Sequence, residues 1–185
     1  TPRDPNAPEY AFVSLAALSP DGSQLLFVTR LTDPDNQVYV RDLATGTESV
    51  LDTGDLHAAN PAISPDGTTV AFEGRVPPAL PDVHLVPFAG GTPVALAASA
   101  ASDAGPAWQD DGTLVFVSDR TGPGNFQVWR VGTDGGGLER LTDYLTRAGG
   151  TGIVLGKAAV SPEGTELAFA RSATPVSRVV VRTIA

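Results

Sequence analysis

The chain's only imidazoles are His57 and His84, and it has no cysteine. A serine or cysteine hydrolase needs a nucleophile, a base and an orienting carboxylate. The Gly-x-Ser-x-Gly elbow that presents such a serine does not occur. Two histidines without cysteine make a zinc centre only if carboxylates complete it. Asp33-Pro34-Asp35-Asn36 has the acidic start of a calcium loop but lacks the following glycine and the distal glutamate. It reads as a polar hairpin tip, where Asp, Asn and Pro favour turning. Gly150-Thr151-Gly152-Ile153-Val154-Leu155-Gly156 is glycine-rich like a phosphate cradle. A cradle must open a helix in a βαβ unit, and here a further strand follows. The paired carboxylates Asp110 and Asp111 fall in a hairpin turn, which they shape. No catalytic, metal or cofactor site is therefore expected.

The elements around these residues repeat. Leu18-Ser19-Pro20-Asp21-Gly22, Ile63-Ser64-Pro65-Asp66-Gly67, Trp108-Gln109-Asp110-Asp111-Gly112 and Val160-Ser161-Pro162-Glu163-Gly164 are four copies of one motif. Their glycines stand 45, 45 and 52 residues apart. Proline presets φ at the first central position of a tight turn, aspartate suits the second, and glycine accepts a positive φ after it. An apolar strand follows each turn, with phenylalanine in one column: Phe27, Phe72, Phe116 and Phe169. A third strand carries Val38-Tyr39-Val40, Val83-His84-Leu85, Val128-Trp129-Arg130-Val131 and Val179-Val180-Val181. A glycine turn then leads to a fourth strand ending at Leu51, Leu96 or Leu141. Helical periodicity is nowhere sustained.

A period of about 40–45 residues with four strands per copy is that of a propeller blade. The expected fold is all-β: a β-propeller with four recognisable four-stranded blades at about 15–52, 58–97, 103–142 and 156–185, forming one domain over 1–185. The fourth copy stops after its third strand. The apolar stretch Tyr10-Ala11-Phe12-Val13 is expected to supply the missing strand, so that residues 10–14 close the last blade and remove an open edge.

The third copy carries Phe116-Val117-Ser118-Asp119-Arg120, Gly124-Asn125-Phe126-Gln127-Val128-Trp129, Asp134-Gly135-Gly136 and Arg140-Leu141-Thr142. This resembles the WD-like repeat of the TolB-like β-propeller family, over about residues 10–185. The resemblance implies an exported protein, periplasmic or secreted, that binds other proteins, including those of the cell envelope. It also admits an alternative, the accessory non-catalytic propeller of a prolyl-oligopeptidase-type serine peptidase or other hydrolase. Family members usually have six blades and TolB a further N-terminal domain. The chain is thus read as a complete ring, a half that pairs as a homodimer, or a piece of a longer protein.

The formal charge of −9, from 12 basic and 21 acidic residues, excludes nucleic acid as the expected partner, because phosphate backbones are held by clustered Lys and Arg. The one lysine is Lys157, and the arginines are scattered. No apolar run reaches the 18 residues of a membrane-spanning helix. Thr1-Pro2-Arg3-Asp4-Pro5 is not a secretory leader.

The expected function is non-enzymatic binding of a protein or small ligand. His84 shares a column with Tyr39 and Trp129 and reads as a packing residue. Connections between blades run near a propeller's axis, which makes His57, Asn60, Ser102, Asp103, Thr146 and Arg147 candidate contacts. Trp108, aligned with Leu18, Ile63 and Val160, reads as core. The long fourth repeat adds Ile153, Val154 and Leu155 as an apolar loop tip able to meet a partner.

Overall fold

In a computed structural model, residues 13–29, 36–110, 112–143, 154–171 and 178–184 are described. They form strands and turns only. The first sheet holds β1 (Val13–Leu18), β2 (Gln24–Thr29), β3 (Gln37–Asp42) and β4 (Glu48–Leu51). The second holds β5 (His57–Ile63), β6 (Thr69–Arg75), β7 (Asp82–Pro87) and β8 (Val94–Leu96). The third holds β9 (Asp103–Asp110), β10 (Thr113–Ser118), β11 (Gln127–Gly132) and β12 (Glu139–Arg140). The fourth holds β13 (Val154–Val160), β14 (Glu166–Arg171) and β15 (Arg178–Thr183). Each is an antiparallel meander with its strands in chain order, so each is a propeller blade.

The repeated turn behaves as its residues dictate. Gly22 N–H donates to the Ser19 carbonyl at 2.8 Å, with Gly22 at φ +71°. The Asp21 carboxylate accepts from the Ser19 hydroxyl at 2.6 Å and the Ser23 amide at 3.0 Å. The Ser19 hydroxyl oxygen in turn accepts from Gln24 N–H at 2.9 Å. Ser64 and Asp66 repeat this arrangement in the second blade. In the third, Gln109-Asp110 replaces Ser-Pro, and the Asp110 carboxylate accepts from Gly112 N–H instead, at 2.9 Å. Asp111 lies outside the described residues.

Strand alternation divides the side chains between the two faces of each blade. Leu26, Val28, Val38 and Val40 of the first blade meet Val70, Phe72 and Val86 of the second. Ala71 and Val83, on the second blade's other face, meet Leu114, Phe116 and Val131 of the third. Val115, Val117 and Val128 then meet Leu167 and Phe169 of the fourth. Among the described residues the core thus shows three layers between blades, and all four phenylalanines of the column are buried. His84 stacks on Phe72 with ring centroids 5.6 Å apart, the packing role its column implies. Phe27 and Tyr39 repeat that pair in the first blade.

The expected closure of the fourth blade needs correction. Val13 and Ser14 pair with Thr29 and Val28 of β2, so they begin the first blade's inner strand. They continue a ladder already set by Ala17–Leu26 and Leu18–Leu25, and one antiparallel partner fixes their register. Residues 10–12 lie outside the described residues. Among the described residues the fourth sheet is three-stranded.

Candidate functional site

Each inner strand carries a bulge before its turn: between Ser14 and Ala17, Ala59 and Ala62, Ala104 and Ala107, and Leu155 and Ala159. A bulge bends its strand and re-aims the side chains beyond it. Asn60 and Gly105 occupy equivalent bulge positions, with φ of +51° and +60°. The Asn60 amide donates to Glu73 at 2.7 Å, and Gly105 N–H donates to the same carboxylate oxygen at 3.4 Å. That carboxylate therefore ties the bulges of the second and third blades together. A methyl group on Gly105 would come within 3.0 Å of the Lys157 Cα, so glycine there permits the close approach of β9 to β13.

Beyond the bulges, the four inner strands converge on a cleft of about 690 Å³. Every blade contributes the same columns. Ala17, Ala62, Ala107 and Ala159 are small. Leu18, Ile63, Trp108 and Val160 are large and apolar. Pro20, Pro65 and Pro162 come from the turns. Trp108 Nε1–H donates to the Ala62 carbonyl at 3.0 Å, which fixes the indole across the gap between blades. Gln109 Nε2–H donates to the Gly164 carbonyl at 3.0 Å, while the buried Gln109 Oε1 has no partner. Among the described residues Lys157 is the one charged residue in the lining. Lys157 is exposed, yet the protein atoms around its ammonium partly desolvate it and lower its pKa from the usual lysine value.

A buried ion pair stands at the far end of β9. Asp103 is fully buried, and its Oδ2 accepts from Arg120 Nη2 at 2.7 Å. The Arg120 guanidinium lies 5.1 Å from the ring centroids of both Phe116 and Trp129. It also donates to the Ala97 carbonyl and the Ser118 hydroxyl. Burial raises the Asp103 carboxyl above the usual carboxylate range, opposed by the Ser118 hydroxyl and the Arg120 charge. Asp103 Oδ1 has no partner.

His57, Asn60 and Asp103 were expected on connections between blades. His57 and Asn60 lie on β5, and Asp103 opens β9. None of the three lines the cleft. Ser102 directly precedes β9, and its N–H donates to Asp119 at 2.9 Å. Thr146, Arg147 and Ile153 lie outside the described residues, as do the side chains of Val154 and Leu155, whose backbone begins β13. Trp108, read as core, packs against the layer between the second and third blades and also lines the cleft. Lys157 did not stand out in the sequence. Its signal is positional: it precedes Val160 by three residues, as Asn60 precedes Ile63 and Gly105 precedes Trp108.

Four radially packed meanders whose inner strands share one cleft define a β-propeller. The TolB beta propeller domain model matches residues 10–185, and the chain belongs to that family. A comparison with curated protein sequences gives no match. Among solved structures, TolB from Acinetobacter baumannii is similar at 20% identity and a TM-score of 0.74, covering 94% of this chain and 41% of that one. A puromycin-hydrolyzing peptidase of Mycobacterium tuberculosis is similar at 22% identity and a TM-score of 0.68, covering 96% of this chain and 30% of that one. The β-propeller domain of the Trilobed protease from Pyrococcus furiosus, described as having an open velcro topology, is similar at 14% identity. Its TM-score is 0.59, and the match covers 96% of this chain and 58% of that one. The chain thus spans less than two thirds of each of these proteins.

Proposed function

We propose that the chain is a non-enzymatic binding module, periplasmic or secreted, whose cleft between the inner strands receives a protein partner. The observation that carries this is the convergence of one apolar column from every blade on a shared, open cleft. Concave apolar surfaces with a few polar groups are where ligands bind. The sequence adds that the serine-hydrolase elbow is missing, and that His84 is committed to stacking on Phe72.

The test is a photo-crosslinking residue in place of Leu18, which is 57% exposed and lines the cleft. The control is the same residue in place of Val94, 65% exposed and away from the cleft. In an envelope extract, a discrete adduct from the Leu18 position alone is expected. Equal labelling from both positions would remove the cleft from the proposal.

A second reading is an accessory propeller of a peptidase, suggested by the fold likeness to the mycobacterial enzyme. It requires that the native gene product also encode a Gly-x-Ser-x-Gly hydrolase domain, which sequencing the gene decides.

A further inference from the structure

We propose that Lys157 makes the cleft a receptor for a carboxylate carried on an apolar, extended peptide segment of the partner. This deepens the cleft reading above and rests on it. The protein has 21 acidic residues, yet among the described residues no carboxylate lines the cleft. Among the described residues the lining's one charge belongs to the chain's only lysine. Among the described residues Lys157 has no ion-pair partner. An acidic protein thus presents, at its apolar concavity, a cation with unused donors.

The surrounding walls define the rest of the ligand. Leu18, Ile63, Trp108 and Val160 offer apolar and aromatic surface, and Pro20 and Pro65 extend it along the rim. A volume of about 690 Å³ lies within the several-hundred-Å³ range of ligand sites. Trp108 gives the groove an aromatic wall, the kind of surface on which extended peptide segments dock. The ammonium is a compact point charge on a flexible stem, so it reaches a carboxylate without demanding bidentate geometry. A carboxylate beside apolar side chains therefore satisfies the cation and the walls together, whereas an apolar peptide without one leaves the ammonium to water.

The probes are N-acetyl-Leu-Val-Leu as the free acid and as its C-terminal amide, titrated against the protein by calorimetry and tryptophan fluorescence. Wild type is expected to bind the acid about fivefold tighter than the amide, the upper range for a solvent-accessible ion pair. Lys157→Gln should erase that difference, read as the ratio of acid to amide affinity within the variant, and Lys157→Arg should preserve it. The amidated peptide N-acetyl-Leu-Glu-Leu tells the carboxylate's source. Binding like the acid shows that a side-chain carboxylate suffices. Binding like the simple amide shows that a chain terminus is required. Both outcomes support the proposal. Equal affinity for acid and amide in wild type, or an unchanged preference in Lys157→Gln, sinks the carboxylate assignment and leaves the cleft reading standing. Failure of all three peptides to bind overturns the assignment and the cleft reading together.

Discussion

Replacing Arg120 with alanine should give a stability loss that depends on pH, and the geometry fixes its size and sign. Asp103 is fully buried, and the Arg120 side chain is 12% exposed. Removing one partner of a buried pair costs about 3–5 kcal/mol, because an uncompensated charge stays behind. The contacts of the guanidinium with Phe116 and Trp129 add about 0.5–1 kcal/mol each. Asp103 has an escape, which is to take up a proton, at about 1.4 kcal/mol for each pH unit above its pKa. Its folded-state pKa is already raised, and without Arg120 it rises further. The folded variant then holds a proton that the unfolded chain releases, so its stability falls as pH rises from the ordinary carboxylate range to the new pKa. Urea unfolding followed by tryptophan fluorescence at pH 4.5 and 7.5 measures this. The deficit against wild type should be about 4 kcal/mol at pH 7.5 and smaller by at least 1 kcal/mol at pH 4.5, on the order of one unit's protonation cost. Asp103→Asn, which removes the titrating group itself, should give a smaller deficit that shrinks as pH rises, because the wild type, whose Asp103 pKa is raised on folding, loses stability through that range. An Arg120→Ala deficit below about 1 kcal/mol, or one equal at both pH values, would refute the claim that this pair carries an unpaid desolvation.

Three further outcomes follow from the same structure. Phe72 is wholly buried between the first two blades, and Phe72→Ala should lower unfolding free energy by about 3–5 kcal/mol in denaturant titrations. Hydrogen bonds from Ser19 and Ser23 hold the Asp21 pKa down to about 2. A carboxyl depressed on folding adds stability that is present above its unfolded value and lost as pH falls. Carbon-detected NMR titration should place its midpoint near 2 rather than near 3.8, and Ser19→Ala should move it upward. Gly105→Ala puts a Cβ at φ +60° and 3.0 Å from the Lys157 Cα, and should cost about 1–3 kcal/mol through backbone strain. Hydrogen exchange should show faster opening along β9 and β13 than along β1 and β5.

The TolB-like blade was legible because its turns and strands are local. Pro20, Asp21 and Gly22 each satisfy one dihedral or hydrogen-bond demand of a five-residue turn, and their recurrence sets the period. The buried phenylalanine column was legible for the same reason, since alternation of two assigns a face without reference to distant chain. The candidate site was less legible. Asp103 looked like a connector and proved to be the buried start of a strand, because strand limits depend on the partner ladder. Lys157 was overlooked because the residues that share its cleft, Trp108 and Ile63 among them, come from other repeats.

Sequence alone therefore determined the class of element, the count of copies and the residues that turn the chain. Only the tertiary structure decided that Val13 and Ser14 continue the first blade, that Asp103 loses its water, and that one column from four blades becomes a single cleft. Turn and strand preferences act over a few bonds, whereas burial, pairing and shared concavities arise only when segments some 45 residues apart in sequence are brought into contact.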